Sequence, residues 1–146
     1  LVILTDSNIQ ISKLVSQLKR HEGYRNRPYE DTTGNLTIGY GRNLDSHGIH
    51  KDEAELMLQN DIVKAIERLE RYPWWEELGE ARQRALADMI FNLGSAGFAG
   101  FKRMIAAISR CDYDTAADEM LDSQWARQVG RRSEYIANLM KQGDPN

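Results

Sequence analysis

Residues 21–41 read HEGYRNRPYEDTTGNLTIGYG, and within this stretch the expected backbone conformation changes twice. A helical pattern ends in HEG. Pro28, the turn-forming residues DTTGN and the alternating pattern of LTIGYG then predict about three short antiparallel strands joined by turns. We expect this sheet within residues 24–50. A small sheet in a chain that is otherwise helical indicates the α+β class.

The rest of the chain carries helical patterns. Residues 8–22 have apolar side chains at helical spacing, with Ser7 or Asn8 as the expected cap and Gly23 as the expected end. A long helix is predicted over residues 51–71, where acidic side chains in the first turn suit the helix dipole. Shorter helices are predicted at about 80–93, 98–109, 112–122 and 130–141.

These elements are expected to form a single domain over residues 1–146 that consists of two lobes. The sheet forms the smaller lobe, and the helices predicted after Pro73 form a helical bundle. The helix at 51–71 would be ~30 Å long at 1.5 Å per residue, which is enough to join the two lobes.

Composition and charge exclude several classes of function. The 146 residues are 41% hydrophobic and 28% charged with a net charge of −3, which argues against tight nonspecific binding to nucleic acid. Cys111 is the only cysteine, so neither an internal disulfide nor a cysteine-based metal site is expected. No run approaches the roughly 18 apolar residues that span a bilayer. The opening LVILTD lacks an initiator methionine and is compatible with a removed signal, an anchor or an upstream domain.

Glu22 occupies a position where the first helix should be apolar. Counting about 100° per residue from Ile11 returns to the same face at position 22, at the negative end of the helix dipole. Partial burial and the dipole would both favour the protonated form of Glu22. A carboxyl that stays protonated near neutral pH is what a general acid requires. The alternative is that Glu22 only hydrogen-bonds the start of the sheet.

Asp31, Thr37 and two glycines complete the candidate site. Asp31 lies in the polar turn EDTTGN, where solvent and nearby amide groups should keep its carboxylate ionised. Strand alternation puts Thr37, Gly39 and Gly41 on one almost bare face. A flat polymer such as a glycan would fit against it, with the Thr37 hydroxyl holding a water or a sugar oxygen. A bulge or a bend is the alternative reason for these glycines.

HEG, Asp31 and LTIGYG together resemble the phage lysozymes of the T-even type, glycoside hydrolase family 24. The family motif is Glu, eight residues, Asp, five residues and Thr, and Glu22, Asp31 and Thr37 match it without a gap. The resemblance extends from about residue 9 to residue 141. It includes KDEAELMLQNDI at 51–62, RALADMIFNLGSAGFAGF at 84–101 and WARQVGRR at 125–132.

The resemblance implies a two-lobe α+β lysozyme-like fold in which the segments 8–22 and 73–141 form the helical lobe. It also implies hydrolysis of the β-1,4 bond between N-acetylmuramic acid and N-acetylglucosamine in peptidoglycan. Glu22 would be the general acid, Asp31 would activate the attacking water, and Thr37 would help to hold that water. Family members usually invert the anomeric centre. The resemblance also implies synthesis in a host cytoplasm and action as a monomer on glycan strands of the periplasm or cell wall, with no metal or cofactor.

Three further positions are compared with the family pattern. Arg132 falls where the family has an arginine that pairs with the catalytic glutamate; the alternative is a solvated arginine at a helix start. Asn92 matches an amide near the cleft that would bond an N-acetyl group; the alternative is a helix-end residue before Gly94. Arg42 stands where the family often has a histidine, so a histidine-centred salt bridge is not expected here.

Two other functions stay open at this point. A lytic transglycosylase works with one acidic residue and no water-activating base, and it would release 1,6-anhydro products; the presence of Asp31 argues against it. A peptidoglycan-binding module without turnover would keep the fold, but all three motif residues are present. Trp74, Trp75 and Trp125 are expected in the core rather than at a sugar site.

Overall fold

The structure is a computed structural model that describes residues 8–145. It contains helices and one small antiparallel sheet, which confirms the expected α+β class. The described elements in chain order are α1 (Ile11–Glu22), β1 (Arg25–Glu30), β2 (Leu36–Gly39), β3 (Arg42–Asn43), α2 (Lys51–Leu69), α3 (Glu80–Ala99), α4 (Lys102–Ser109), α5 (Tyr113–Leu121), α6 (Gln124–Val129) and α7 (Arg131–Gln142), with a 3₁₀ turn at Trp75–Glu77.

The chain divides into two compact units, one up to Ala54 and the other from Glu55 onwards. The expectation of a single domain with lobes at the predicted boundaries stays a prediction. The first unit holds α1 and the sheet, whose strands are hydrogen-bonded in the order β1-β2-β3. β1 and β2 pair irregularly around Pro28, because proline has no N–H to donate to a neighbouring strand.

Helix α1 begins at Ile11, three residues later than expected. Gln10 is the capping residue and makes no side-chain cap bond, so the predicted cap at Asn8 is wrong, and Ser7 lies outside the described residues. Gly23 ends the helix as expected, with a φ of +70° and its N–H donating to the Lys19 carbonyl at 3.0 Å.

The second unit carries the apolar core. Its fully buried large side chains come from five helices, and the predicted packing of Trp74, Trp75 and Trp125 in the core is confirmed because all three are buried. The fully buried large side chains are Leu69, Leu86, Met89, Phe98, Met104, Ile108, Met120, Ile136 and Met140. None of the described helices is long and apolar enough to cross a membrane.

Helix boundaries in the second unit differ from the expected ones in two places. Gly94 does interrupt α3, with a φ of +76°, but the chain resumes helical geometry and continues to Ala99. Helix α6 was not predicted, because six residues are too few for a periodic apolar pattern. Its local signal is Ser123, whose side chain accepts a hydrogen bond from the Ala126 N–H at 3.1 Å.

Candidate active site

Glu22 is the last residue of α1, and its side chain is exposed. The expected partial burial on an apolar helix face is therefore wrong. Because the helix ends at Gly23, no further turn covers the carboxyl, and α1 contains no buried residue. The negative end of the helix dipole remains beside Glu22 as predicted.

The backbone of Gly41 lies directly against the Glu22 side chain. A Cβ at Gly41 would be 2.6 Å from Glu22 Oε2 and 2.8 Å from Glu22 Cδ. The two residues are nineteen positions apart, so the contact joins the end of α1 to the β2–β3 hairpin. Glu22 is thus placed beside the sheet by a feature that no local sequence pattern predicts.

Gly41 does not belong to the strand that contains Thr37. β2 ends at Gly39, and Tyr40 and Gly41 form the turn into β3, so the predicted single face of Thr37, Gly39 and Gly41 is wrong. Both glycines have positive φ, +68° at Gly39 and +75° at Gly41, a conformation that side chains disfavour. Both glycines therefore lie at the turn between β2 and β3.

Asp31 is held by its own turn. Its Oδ1 accepts hydrogen bonds from the Thr33 N–H at 2.9 Å, the Thr33 hydroxyl at 2.8 Å and the Asn35 N–H at 2.9 Å. The Asn35 amide, followed by the Thr33 hydroxyl, holds the pKa of Asp31 below its usual value. This confirms the expectation that nearby amide groups keep this carboxylate ionised.

Thr37 sits in the central strand and is 3% exposed. Its hydroxyl donates to the Asn35 carbonyl at 2.9 Å. Since its proton is used in that bond, the Thr37 oxygen can only accept a hydrogen bond from a water or a sugar hydroxyl.

Asn35 connects Asp31 to Thr37 through its backbone. Its N–H donates to the Asp31 carboxylate, and its carbonyl accepts both the Thr37 hydroxyl and the Asp31 N–H, the latter at 2.9 Å. Two of the three motif residues, Asp31 and Thr37, therefore hydrogen-bond to the same backbone residue, Asn35. Sequence reasoning missed Asn35, although its place after Gly34 in the DTTGN turn is the signal that could have found it.

Asn92 and Arg132 lie in the second unit, and each has a partner there. The Asn92 Oδ1 accepts a hydrogen bond from the Trp125 indole N–H at 2.8 Å. The Arg132 guanidinium binds Asp88 of α3, with Nε 2.8 Å from Oδ1. Pairing of Arg132 with Glu22 and binding of an N-acetyl group by Asn92 both stay predictions.

Arg42 forms a two-pronged salt bridge with Glu53 at the start of α2. Nη1 is 2.8 Å from Oε1 and Nη2 is 2.6 Å from Oε2. Glu53 also accepts the His50 N–H at 2.8 Å, which satisfies a free donor at the helix start. Its pairing with Arg42 lowers the pKa of Glu53 to about 2.

Potential metal ligands do not gather in the part of the chain that the structure describes. Residues 8–145 contain no group of three or more histidine, cysteine, aspartate or glutamate side chains that could hold an ion.

Comparison with known proteins identifies the family. The profile of the phage lysozyme family matches residues 19–141. "Probable T4-type lysozyme 2" of Dictyostelium discoideum is 27% identical over 91% of this chain and 96% of its own length. The endolysin of Salmonella phage P22 is 31% identical over 73% of this chain and 77% of its own length. The pre-baseplate central spike protein Gp5 of Enterobacteria phage T4 is 27% identical over 97% of this chain, which spans only 30% of that longer protein. The chain therefore belongs to the phage lysozyme family, a family of peptidoglycan hydrolases.

Proposed function

We propose that this protein is a muramidase that hydrolyses the β-1,4 bond between N-acetylmuramic acid and N-acetylglucosamine. The observation that carries the proposal is the Asp31 turn, in which three hydrogen bonds to one carboxylate oxygen favour the ionised form. A water-activating base must be ionised before it can take a proton. Two of the relatives are named endolysins, and this name supports peptidoglycan as the substrate class.

In the proposed reaction Glu22 donates its proton to the glycosidic oxygen while the C1–O bond breaks. A water attacks C1 from the opposite face and gives its proton to Asp31, so the configuration at C1 inverts. Thr37 can only accept, so the water would donate one proton towards Thr37 and the other towards Asp31. Its lone pair is then left for the anomeric carbon. Proton exchange with solvent restores Glu22 and Asp31 for the next turnover.

The test is digestion of purified peptidoglycan with wild type and Glu22→Gln protein. We expect the variant to release reducing ends at least about a hundredfold more slowly, because removing a general acid typically costs that much or more. Glu30→Gln is the matched control, since it makes the same chemical change at the exposed end of β1. Wild-type activity in Glu22→Gln would defeat the assignment of Glu22.

Mass spectrometry of the products separates this proposal from the two other functions. Reducing muramic acid ends support hydrolysis. Products with a 1,6-anhydro ring would instead identify a lytic transglycosylase. Binding to purified sacculi without soluble fragments would identify a module that has lost turnover.

Several finer expectations go with this proposal. We expect the protein to be made in a host cytoplasm, to act on periplasmic or cell-wall peptidoglycan and to work as a monomer without a cofactor. The approach of a glycan over Gly39 also stays a prediction.

A further inference from the structure

The tip of the β2–β3 hairpin contacts the last turn of α1 at two adjacent residues. The rings of Tyr40 and Tyr24 lie with centroids 5.4 Å apart, and the Lys19 ammonium is 5.2 Å from the centre of the Tyr40 ring. Next to Tyr40, the Gly41 backbone contacts the Glu22 side chain. Hairpin and helix are thus joined around the carboxyl of Glu22.

The contact at Gly41 lies between the position of its missing Cβ and the carboxyl end of the Glu22 side chain. A Cβ in the position that an alanine would give it would be 2.6 Å from Glu22 Oε2, 2.8 Å from Cδ and 3.1 Å from Cγ. Nonbonded heavy atoms normally approach to about 3.5–4.0 Å. The carboxyl group of Glu22 therefore occupies the space that any side chain at position 41 would need.

We propose that Gly41 is a positioning residue for Glu22: its missing Cβ lets the hairpin backbone hold the carboxyl in one place. The inference rests on the proposed function in that Glu22 is taken as the acid. An exposed glutamate otherwise samples several rotamers. The reaction requires its proton at a fixed point beside the glycosidic oxygen, and a displacement of ~1 Å can cost on the order of a hundredfold in rate.

Gly39 supplies a matched control within the same hairpin. It also has positive φ, but a Cβ there would meet no atom within 4 Å. Gly39→Ala and Gly41→Ala therefore carry similar backbone strain, and only Gly41→Ala displaces the Glu22 carboxyl. In measurements made without substrate, the difference between the two variants isolates the contact with Glu22.

We expect kcat on soluble peptidoglycan fragments to fall on the order of a hundredfold further in Gly41→Ala than in Gly39→Ala. The extra loss should lie in kcat rather than KM, because the displaced group acts on the bond that breaks. The NMR signal of the Glu22 carboxyl carbon should move in Gly41→Ala and stay near its wild-type position in Gly39→Ala. A Glu22 carboxyl signal that stays at its wild-type position in Gly41→Ala would overturn the proposal.

A second measurement does not depend on activity. In a Glu22→Ala background the two glycine substitutions should lower the urea midpoint equally. With Glu22 present, Gly41→Ala should lower it slightly more, because the exposed carboxyl must rotate away but can do so at little cost. If Gly41→Ala alone does not fold, recovery of folding by Glu22→Ala supports the contact in the same way. A difference that persists without Glu22 overturns the proposal. If Glu22→Gln stays active while this dependence is found, the catalytic role of Glu22 fails and the contact stands.

Discussion

The two proposed catalytic carboxyls are controlled in different ways. Asp31 receives three hydrogen bonds from residues within four positions of itself, so a single turn is enough to favour its ionised form. Glu22 has an exposed side chain at a helix end and contacts a glycine nineteen residues away. At the residue scale, the proposed base is therefore fixed by its own turn, whereas the position of the proposed acid depends on the hairpin.

The Thr33 hydroxyl offers a direct test of the Asp31 turn. Thr33→Ala removes one donor and keeps both backbone N–H donors, so the pKa of Asp31 should rise towards its usual value. Because the base must be ionised, the acid side of the pH–rate profile should move to higher pH while the rate at neutral pH changes little. A pH series of turnover on soluble fragments measures this.

Thr32→Ala is the control for that substitution. Thr32 is the neighbouring threonine and donates none of the three bonds to Asp31. The acid side of the pH–rate profile of Thr32→Ala should coincide with that of the wild type. If Thr33→Ala and Thr32→Ala shift the acid side of the profile equally, the Thr33 hydroxyl does not set the ionisation of Asp31.

At the element scale, the Arg42–Glu53 salt bridge connects the last strand of the sheet to the first turn of α2. Arg42 also donates to the Gly48 carbonyl at 3.0 Å, so one guanidinium connects β3, the following loop and the helix start. Both side chains are about one-third exposed, so solvent screening weakens the pair. The pair contributes to the structure because one rigid, planar guanidinium connects three segments of the chain.

Arg42→Met keeps the aliphatic stem and removes the guanidinium, so it should destabilise the hairpin near neutral pH. The pKa of Glu53 is lowered from 4.5 to about 2, so the pair contributes fully above 4.5 and is lost as pH falls towards 2. The difference in urea midpoint between wild type and Arg42→Met should therefore shrink across that range. The Leu44 amide, which donates to the Leu36 carbonyl at 2.7 Å, provides a hairpin NMR signal for the titration.

Arg84→Met is the control for the salt bridge. Arg84 pairs with Glu80 at 3.4 Å one helical turn away, and both side chains are more exposed than those of Arg42 and Glu53. Such pairs contribute little, so the difference in urea midpoint between wild type and Arg84→Met should be small and should change little with pH. A pH-independent loss in Arg42→Met would mean that packing of its stem, rather than its charge, stabilises the hairpin.

Sequence predicts the elements better than the contacts between them. The ionised Asp31, the end of α1 at Gly23 and the buried tryptophans follow from turn chemistry, capping and side-chain size, which act over a few residues. The predicted burial of Glu22 is wrong because helix periodicity does not show whether another helical turn follows a side chain and covers it. The Glu22–Gly41 and Arg42–Glu53 contacts join separate elements, and no periodic pattern encodes their partners.

At the scale of the whole molecule, the proposed site and the apolar core belong to different units. Glu22, Asp31 and Thr37 lie in the unit that ends at Ala54, and the buried apolar side chains of the described residues all come from Ala65 onwards. In residues 8–54 the only buried residue is Thr37. Within residues 8–54, the proposed site is therefore held by turns, strand pairing and an ion pair rather than by an apolar core.

This division predicts a substitution that changes stability without altering any proposed site residue. Leu86 is fully buried in α3, and Leu86→Ala should lower the free energy of unfolding of the second unit by about 2–5 kcal/mol, because it removes packed methyl groups and leaves a cavity. Leu121→Ala makes the same change at a leucine that is 45% exposed, and it should cost less than about 1 kcal/mol. Urea unfolding followed by tryptophan fluorescence measures both, since all three tryptophans lie in the second unit. Equal losses in the two variants would show that α3 does not form the centre of the core.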